Sequence, residues 1–378
     1  MMAVMSLGAS PGQLGLLYAL SSGPALIVGL AAGDYLDHAA RRPVLIATDL
    51  ARALILITLP LAAWLGLLSM FQVYAAAALV GAGAVLFDIA DHAYLPGLVG
   101  KAQITDANAK LSLTEAVAET GGPALAGVLF QWLTAPIAVS FNAATYVGSA
   151  LLLAAIRTPE PARDTQVKRA GWVDGVIIGG RTAWIDPRVR ALLVMTGLGG
   201  LFGGFFGALY IAFVLRDLGL SPFMLGLGIA AGGVGALTGS LIAQPLARRL
   251  GVGPAIYASG ALSALGTMIV LLAPARAPGA MTALVVSQFL GDAFGVAPLI
   301  LSASLRQSVL PQKVLGRVGA TFRALAGGSA VAGSLVGGGL GQVLGLRPTL
   351  LLAIAGLLIG PLIGAGSPLR KVKEMPAD

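Results

Sequence analysis

Eleven apolar stretches, each about the length of a bilayer crossing, decide what this chain can fold into. They run over 12–33, 44–66, 71–95, 108–133, 136–156, 189–215, 222–246, 253–274, 279–306, 314–344 and 347–366. A hydrocarbon core of roughly 30 Å takes about 20 residues of helix to cross. In lipid every backbone N–H and C=O must be satisfied within the segment, which a helix achieves and an open strand does not. Of the 378 residues 57% are hydrophobic and 11% are charged, against about 25% charged in an average soluble domain. A water-soluble core could not hide that much apolar surface. The expected fold class is an all-α polytopic membrane protein.

The basic residues orient it. With the turns between spans numbered alternately, 21 of the 24 lysines and arginines fall in one set: Arg41, Arg42 and Arg52, then Lys101 and Lys110, the run from Arg157 to Arg190, Arg248 and Arg249, the group from Arg306 to Arg323, and Arg370, Lys371 and Lys373. The other set holds Arg216, Arg276 and Arg347 alone. Short loops rich in Lys and Arg stay in the cytoplasm, so the first set, with the C-terminal tail, is expected there. The formal charge of +8 therefore reports orientation and not nucleic-acid binding.

Other functions are excluded by what is missing. With no cysteine there is no disulfide, thiolate metal site or cysteine nucleophile. His38 and His92 are the only histidines, too few for a histidine metal cluster. The glycine runs at 197–207, 230–239 and 327–341 neither follow a strand nor precede GK[ST], so they read as close helix packing rather than nucleotide binding. No nucleophile–base constellation suggests an enzyme, and no cofactor or metal is expected.

Two internal repeats divide the chain. "LGASPGQLGL" at 7–16 returns as "LGLSPFMLGL" at 218–227, with seven identities, and each copy precedes a span ending in an arginine pair, "AARRPV" and "LARRLG". "GGPALAG" at 121–127 returns as "GGSAVAG" at 327–333. Parallel duplication of a helical unit marks one large transporter architecture. The expected organisation is a helical bundle over 1–156, a linker over 157–188, a six-helix bundle over 189–366 and a cytoplasmic tail over 367–378. Within the linker, Trp172, Val173, Val176, Ile177 and Trp184 fall near one helical face, which predicts a short helix lying on the membrane surface.

These features resemble the major facilitator superfamily, and over nearly the whole chain the branch containing enterobactin-type siderophore exporters and macrolide efflux proteins. The stretch "GDYLDHAARRPVL" at 33–45 is similar to the signature loop between the second and third helices of that superfamily: Gly33, Asp37, Arg41 and Arg42 fall on the pattern, while His38 and Ala40 depart from it. "GPALAG" at 122–127, with Gly122, Pro123 and Gly127, is similar to a shortened form of the fifth-helix exporter motif. The resemblance implies two pseudo-symmetric bundles and makes the eleven spans helices two to twelve of the family. "MMAVMSLGA" at 1–9 would then be the end of a first helix mostly absent, as if the gene start had been assigned too far downstream. The resemblance also implies a latch in which Asp37 faces the start of the 314–344 helix, where unpaired N–H groups carry partial positive charge, and Arg41 pairs with a carboxylate of the 71–95 helix, Asp88 being the candidate. The plainer reading anchors Arg41 and Arg42 to anionic headgroups.

Charges deep in a span each need a reason, at roughly 2.5–3.5 kcal/mol apiece near the bilayer centre. Glu119 and Arg323 lie roughly 14–16 Å from the basic ends of their helices at about 1.5 Å per residue. Asp292 is central in its own helix, and Glu115, Asp88 and Asp91 are shallower. Glu115 and Glu119, four apart, share a face. The spans 44–66, 136–156, 253–274 and 347–366 are expected on the outside, with no charge in their middles. Glu115, Glu119, Asp292 and Arg323 are the candidates for proton coupling or substrate binding, with structural pairing to Arg323 as the alternative for the acids. His92 reads as a solvated end residue. The expected function is a monomeric secondary transporter in a bacterial inner membrane, exporting a small organic molecule, a siderophore or amphiphilic drug, in exchange for protons. An importer of the same fold and a truncated membrane protein that transports nothing are the alternatives.

Overall fold

The computed structural model describes residues 1–26, 28, 39–100, 103–158, 172–276 and 278–375, the side chains being described from 175 onward in the 172–276 segment. Everything regular in it is helical: α1 (Met2–Met5), α2 (Pro11–Ser22), α3 (Arg41–Trp64), α4 (Met70–Val99), α5 (Ile104–Trp132), α6 (Ala135–Ala155), α7 (Trp172–Ile185), α8 (Pro187–Ala212), α9 (Pro222–Leu250), α10 (Val252–Leu272), α11 (Ala280–Val309), α12 (Gln312–Leu344) and α13 (Leu346–Gly366). A π-turn over Phe213–Asp217 extends α8, and a 3₁₀ turn over Pro368–Lys371 follows α13.

Among the described residues nine helices are long and apolar enough to cross a membrane. The sequence suggested eleven spans. The 108–133 span is present as α5, of crossing length, but Asp106, Lys110, Glu115 and Glu119 break its apolar run. The 12–33 span is described as α2 through Ser22, and most of its later part lies outside the described residues.

The first repeat turns out to be a helix start. Gly8 and Gly219 hold equivalent positions and both take positive φ, 60° and 68°, a conformation that glycine adopts without a Cβ penalty. Two residues on, Ser10 and Ser221 accept the backbone N–H of Gln13 and Met224, each at 3.3 Å. Pro11 and Pro222 then occupy the first helical position, where a missing N–H costs nothing. In the first copy Gln13 Oε1 accepts the Ser10 N–H at 2.8 Å, completing a reciprocal capping box. The chain thus writes the same helix-opening signal twice.

Contacts divide the chain into two units. The first holds Met1–Ala9, Leu16–Ala118 and Leu129–Arg169. Its core is α3 packed between α4 and α6, with Leu45, Ala90 and Tyr94 buried against Val28, Leu86, Phe87 and Leu153. The second holds Ser10–Gly15, Glu119–Val128 and Ala170–Asp378. There α9 and α10 pack on α11, α12 and α13 pack on α8, and α7 lies along α12. Its largest buried cluster gathers Leu192, Ile256, Leu305, Phe322 and Leu369. Close approach is set by glycine: a Cβ on Gly235 or Gly239 of α9 would strike the Phe289 or Ala293 carbonyl of α11.

The short helix expected in the linker forms over Trp172–Ile185. Gly179 lets it touch the α12 backbone at Arg317, and Thr321 Oγ1 donates to the Val176 carbonyl at 2.8 Å. Ala183 is fully buried in that contact, whereas Ile177, Ile178, Trp184 and Ile185 stay exposed.

Candidate functional site

Gly33 and Asp37 of the signature loop, with His38, lie outside the described residues. The arginine pair beyond them is well defined. Arg41 donates through Nη1 to the Ala93 carbonyl in the last two turns of α4. Arg42 donates to the final carbonyls of α6, Nε to Leu153 at 2.9 Å and Nη2 to Ala154 at 2.5 Å. Unpaired C=O groups at a helix C-terminus carry partial negative charge and attract cations, which accounts for the Arg42 contacts with the last turn of α6. The expected Arg41–Asp88 ion pair is not formed. Arg41 reaches the expected helix but bonds a backbone carbonyl five residues past Asp88, nearer its C-terminal end. Asp88 is exposed, and its carbonyl meets His92 Nδ1 at 2.8 Å, a contact within the same helix.

Glu115 on α5 joins Asp88, Asp91 and His92 in one electrostatic group, since Asp91 feels the other three charges. Among the described residues this group does not hold metal-binding geometry.

In the second unit, Asp292 sits near the middle of α11 with its side chain exposed. Gln288, four residues earlier and on the same face, accepts through Oε1 the Tyr210 hydroxyl of α8 at 3.0 Å, and Tyr210 feels the Asp292 charge. Gly232 of α9 closes the group: any Cβ there would collide with Asp292 Oδ2. Tyr210, Gln288 and Gly232 were not singled out from sequence. An uncharged Tyr and Gln in an apolar run give no signal until the fold brings them beside an acid.

Glu119 and Arg323 are also exposed. The pairing of the deep acids with Arg323 is not seen among the described residues: Arg323 lies near Arg306, each repelling the other, and Arg306 stacks over Phe322 at 3.9 Å.

The fifth-helix motif separates into working and idle parts. A Cβ on Gly127 would sit 2.7 Å from the Pro222 carbonyl oxygen and 3.0 Å from Gly226 Cα, and one on Gly226 would collide with the Pro123 carbonyl. Gly122 faces open space. Gly333, the repeat partner of Gly127, is equally crowded, against the Leu201 carbonyl. The second repeat therefore marks a close backbone approach in both copies.

One charged pair escaped the sequence reading. Asp49 and Arg52 are buried on α3, hydrogen-bonded to each other, eight and eleven residues past Arg41. Arg52 lies between two rings, its Cζ 4.7 Å from the Phe87 centroid of α4 and 4.4 Å from the Tyr146 centroid of α6. Among the described residues Asp49 Oδ2 and Arg52 Nε have no hydrogen-bond partner. The pair lies in the first part of the 44–66 span, before its uncharged middle. The i, i+3 spacing of the pair is the available signal, obscured because Arg52 also reads as one of the basic residues beside the loop.

Comparison with known proteins fits this architecture. A family model described as transmembrane secretion effector matches residues 2–378. The multidrug efflux pump Tap of Mycolicibacterium fortuitum is 28% identical over 351 residues, covering 89% of this chain and 83% of that protein. A bacterial homologue of the iron transporter ferroportin, solved in an inward-facing state, superposes with a TM-score of 0.72 at 19% identity, covering 97% of this chain and 92% of that one. The nucleoside transporter NupG gives a TM-score of 0.76 at 13% identity, with the same coverages. With a family match across essentially its whole length, the chain belongs to the transmembrane secretion effector family of major facilitator transporters, and it is a multi-pass membrane transporter rather than an enzyme.

Proposed function

We propose that the protein is a proton-driven exporter of small amphiphilic organic molecules, seated in a bacterial inner membrane with its C-terminus in the cytoplasm. The observation that carries this reading is Asp292: an exposed acid halfway along a crossing helix, backed by Tyr210 and Gln288 and given room by Gly232. A carboxylate at that depth is tolerated only against a water-filled path or a partner. It can hold a proton or the cationic end of a drug, and the two compete for one charge, which is the requirement for antiport. Glu119 is a second acid of the same unit, the Glu115 group supplies further acids within the first unit, and Arg323 would meet an anionic part of the cargo. The efflux activity named for the relative Tap and the secretion description of the family favour outward transport. The signature loop, with Gly33 and Asp37, serves as the latch, Arg41 and Arg42 fixing its end to the later part of α4 and to the end of α6.

The test uses proteoliposomes and a fluorescent lipophilic cation. Asp292→Asn is expected to abolish pH-driven transport while leaving downhill substrate exchange partly intact, and Glu119→Gln to weaken the pH response. Normal pH-driven transport by both single variants and the double variant would overturn the assignment.

A further inference from the structure

A groove of about 490 Å³ opens where the end of α7 meets α8 and α13, lined by Trp184, Pro187, Arg190, Val194, Ile363 and Ser367. It belongs entirely to the second unit. We infer that this groove binds the headgroup of an anionic phospholipid, with the acyl chains running along Val194 and Ile363.

The chemistry is amphipathic in the required order. At the mouth stands Arg190, exposed, its guanidinium carbon 5.8 Å from the Trp184 ring centroid. Among the described residues it has no carboxylate partner within ion-pair distance. The nearby acid, Asp186, is already engaged by the Arg188 backbone N–H at 2.8 Å and by the Arg188 guanidinium at 2.8 and 3.2 Å. Arg370 and Lys371, both exposed, follow Pro368 of the groove wall. The charge left over is positive. The rest of the lining is largely apolar, with Ala191, Val194 and Ile363, and Ile363 is 36% exposed. Tryptophan concentrates at the headgroup level of membranes, so Trp184 sets the groove at the depth where phosphates lie. Basic clusters on the cytoplasmic face attract anionic lipids by about 1 kcal/mol per Lys or Arg. The groove volume falls in the range of ligand sites that hold a small molecule.

Trp184 is its own reporter. In a variant with Trp64, Trp132 and Trp172 replaced by Phe, phosphatidylglycerol with brominated chains is titrated into vesicles of phosphatidylcholine, and quenching of Trp184 is read. The expected preference for phosphatidylglycerol over brominated phosphatidylcholine is roughly fivefold, one basic residue's share. Arg190→Gln is expected to remove the preference, Arg190→Lys to keep most of it, and Arg249→Gln, an exposed cation elsewhere on α9, to leave it unchanged. Native mass spectrometry of the chain with all its tryptophans makes the same comparison of retained lipid. Equal quenching by the two lipids, a preference surviving Arg190→Gln, an equal loss with Arg249→Gln, or displacement by inorganic phosphate would each overturn the lipid site.

Discussion

At the scale of single residues, the buried Asp49–Arg52 pair is the sharpest commitment in the first unit. Removing one member leaves the other charge buried without a partner, which costs about 3–5 kcal/mol in proteins generally, while removing both is often nearly neutral. Arg52→Gln and Asp49→Asn are each expected to lower the melting temperature in detergent well below that of the double variant. Additive losses in a double-mutant cycle would show that the two side chains act separately. Asp186 offers a pH test. The Arg188 guanidinium and N–H hold its carboxyl below the usual carboxylate range. Because the folded value is depressed, its contribution is complete above the ordinary aspartate value of about 3.9 and disappears as pH falls through the lower folded value. Asp186→Ala is expected to cost about 1 kcal/mol at neutral pH, a typical cap loss, and to flatten the stability profile in that acid window. A melting curve whose acid limb is unchanged in the variant would contradict it.

At the scale of elements, the helices were the most legible part of the sequence, because about 20 apolar residues in a row admit few other structures. The duplicated "LGxSP" stretch was visible as a repeat but not as a capping signal, since the role of Gly8, Ser10 and Pro11 shows only once the backbone turns there. The acids of α5 were legible as charges, whereas their neighbours were not. Asp91 and Glu115 lie on different helices, and no spacing rule joins them. Likewise "GPALAG" marked a packing motif without saying which glycine carries it. Gly226→Val is expected to drive a methyl group into the Pro123 carbonyl and to abolish stable expression, and Gly127→Val to be similarly severe. Gly122→Ala, facing open space, is expected to be neutral or slightly stabilising, since alanine suits a helix by about 1 kcal/mol over glycine. Membrane yield and melting temperature of the three variants check this. A Gly122→Ala variant as damaged as Gly226→Val would refute the division.

At the scale of the whole molecule, family and fold were readable from spans, repeats and the signature loop, but direction and cargo are properties of a cycle and not of a pattern. An antiporter needs one site to see proton and substrate in turn, and Asp292 with Tyr210 and Gln288 is proposed as that site. The most direct measurement is substrate movement in everted membrane vesicles, whose lumen corresponds to the cell exterior. With the lumen one pH unit more acidic than the medium, a lipophilic cation exchanged one for one with protons is expected to accumulate roughly tenfold inside, and to leak back when an ionophore collapses the gradient. Accumulation that ignores the gradient, or that requires an acidic medium instead, would contradict proton-driven export.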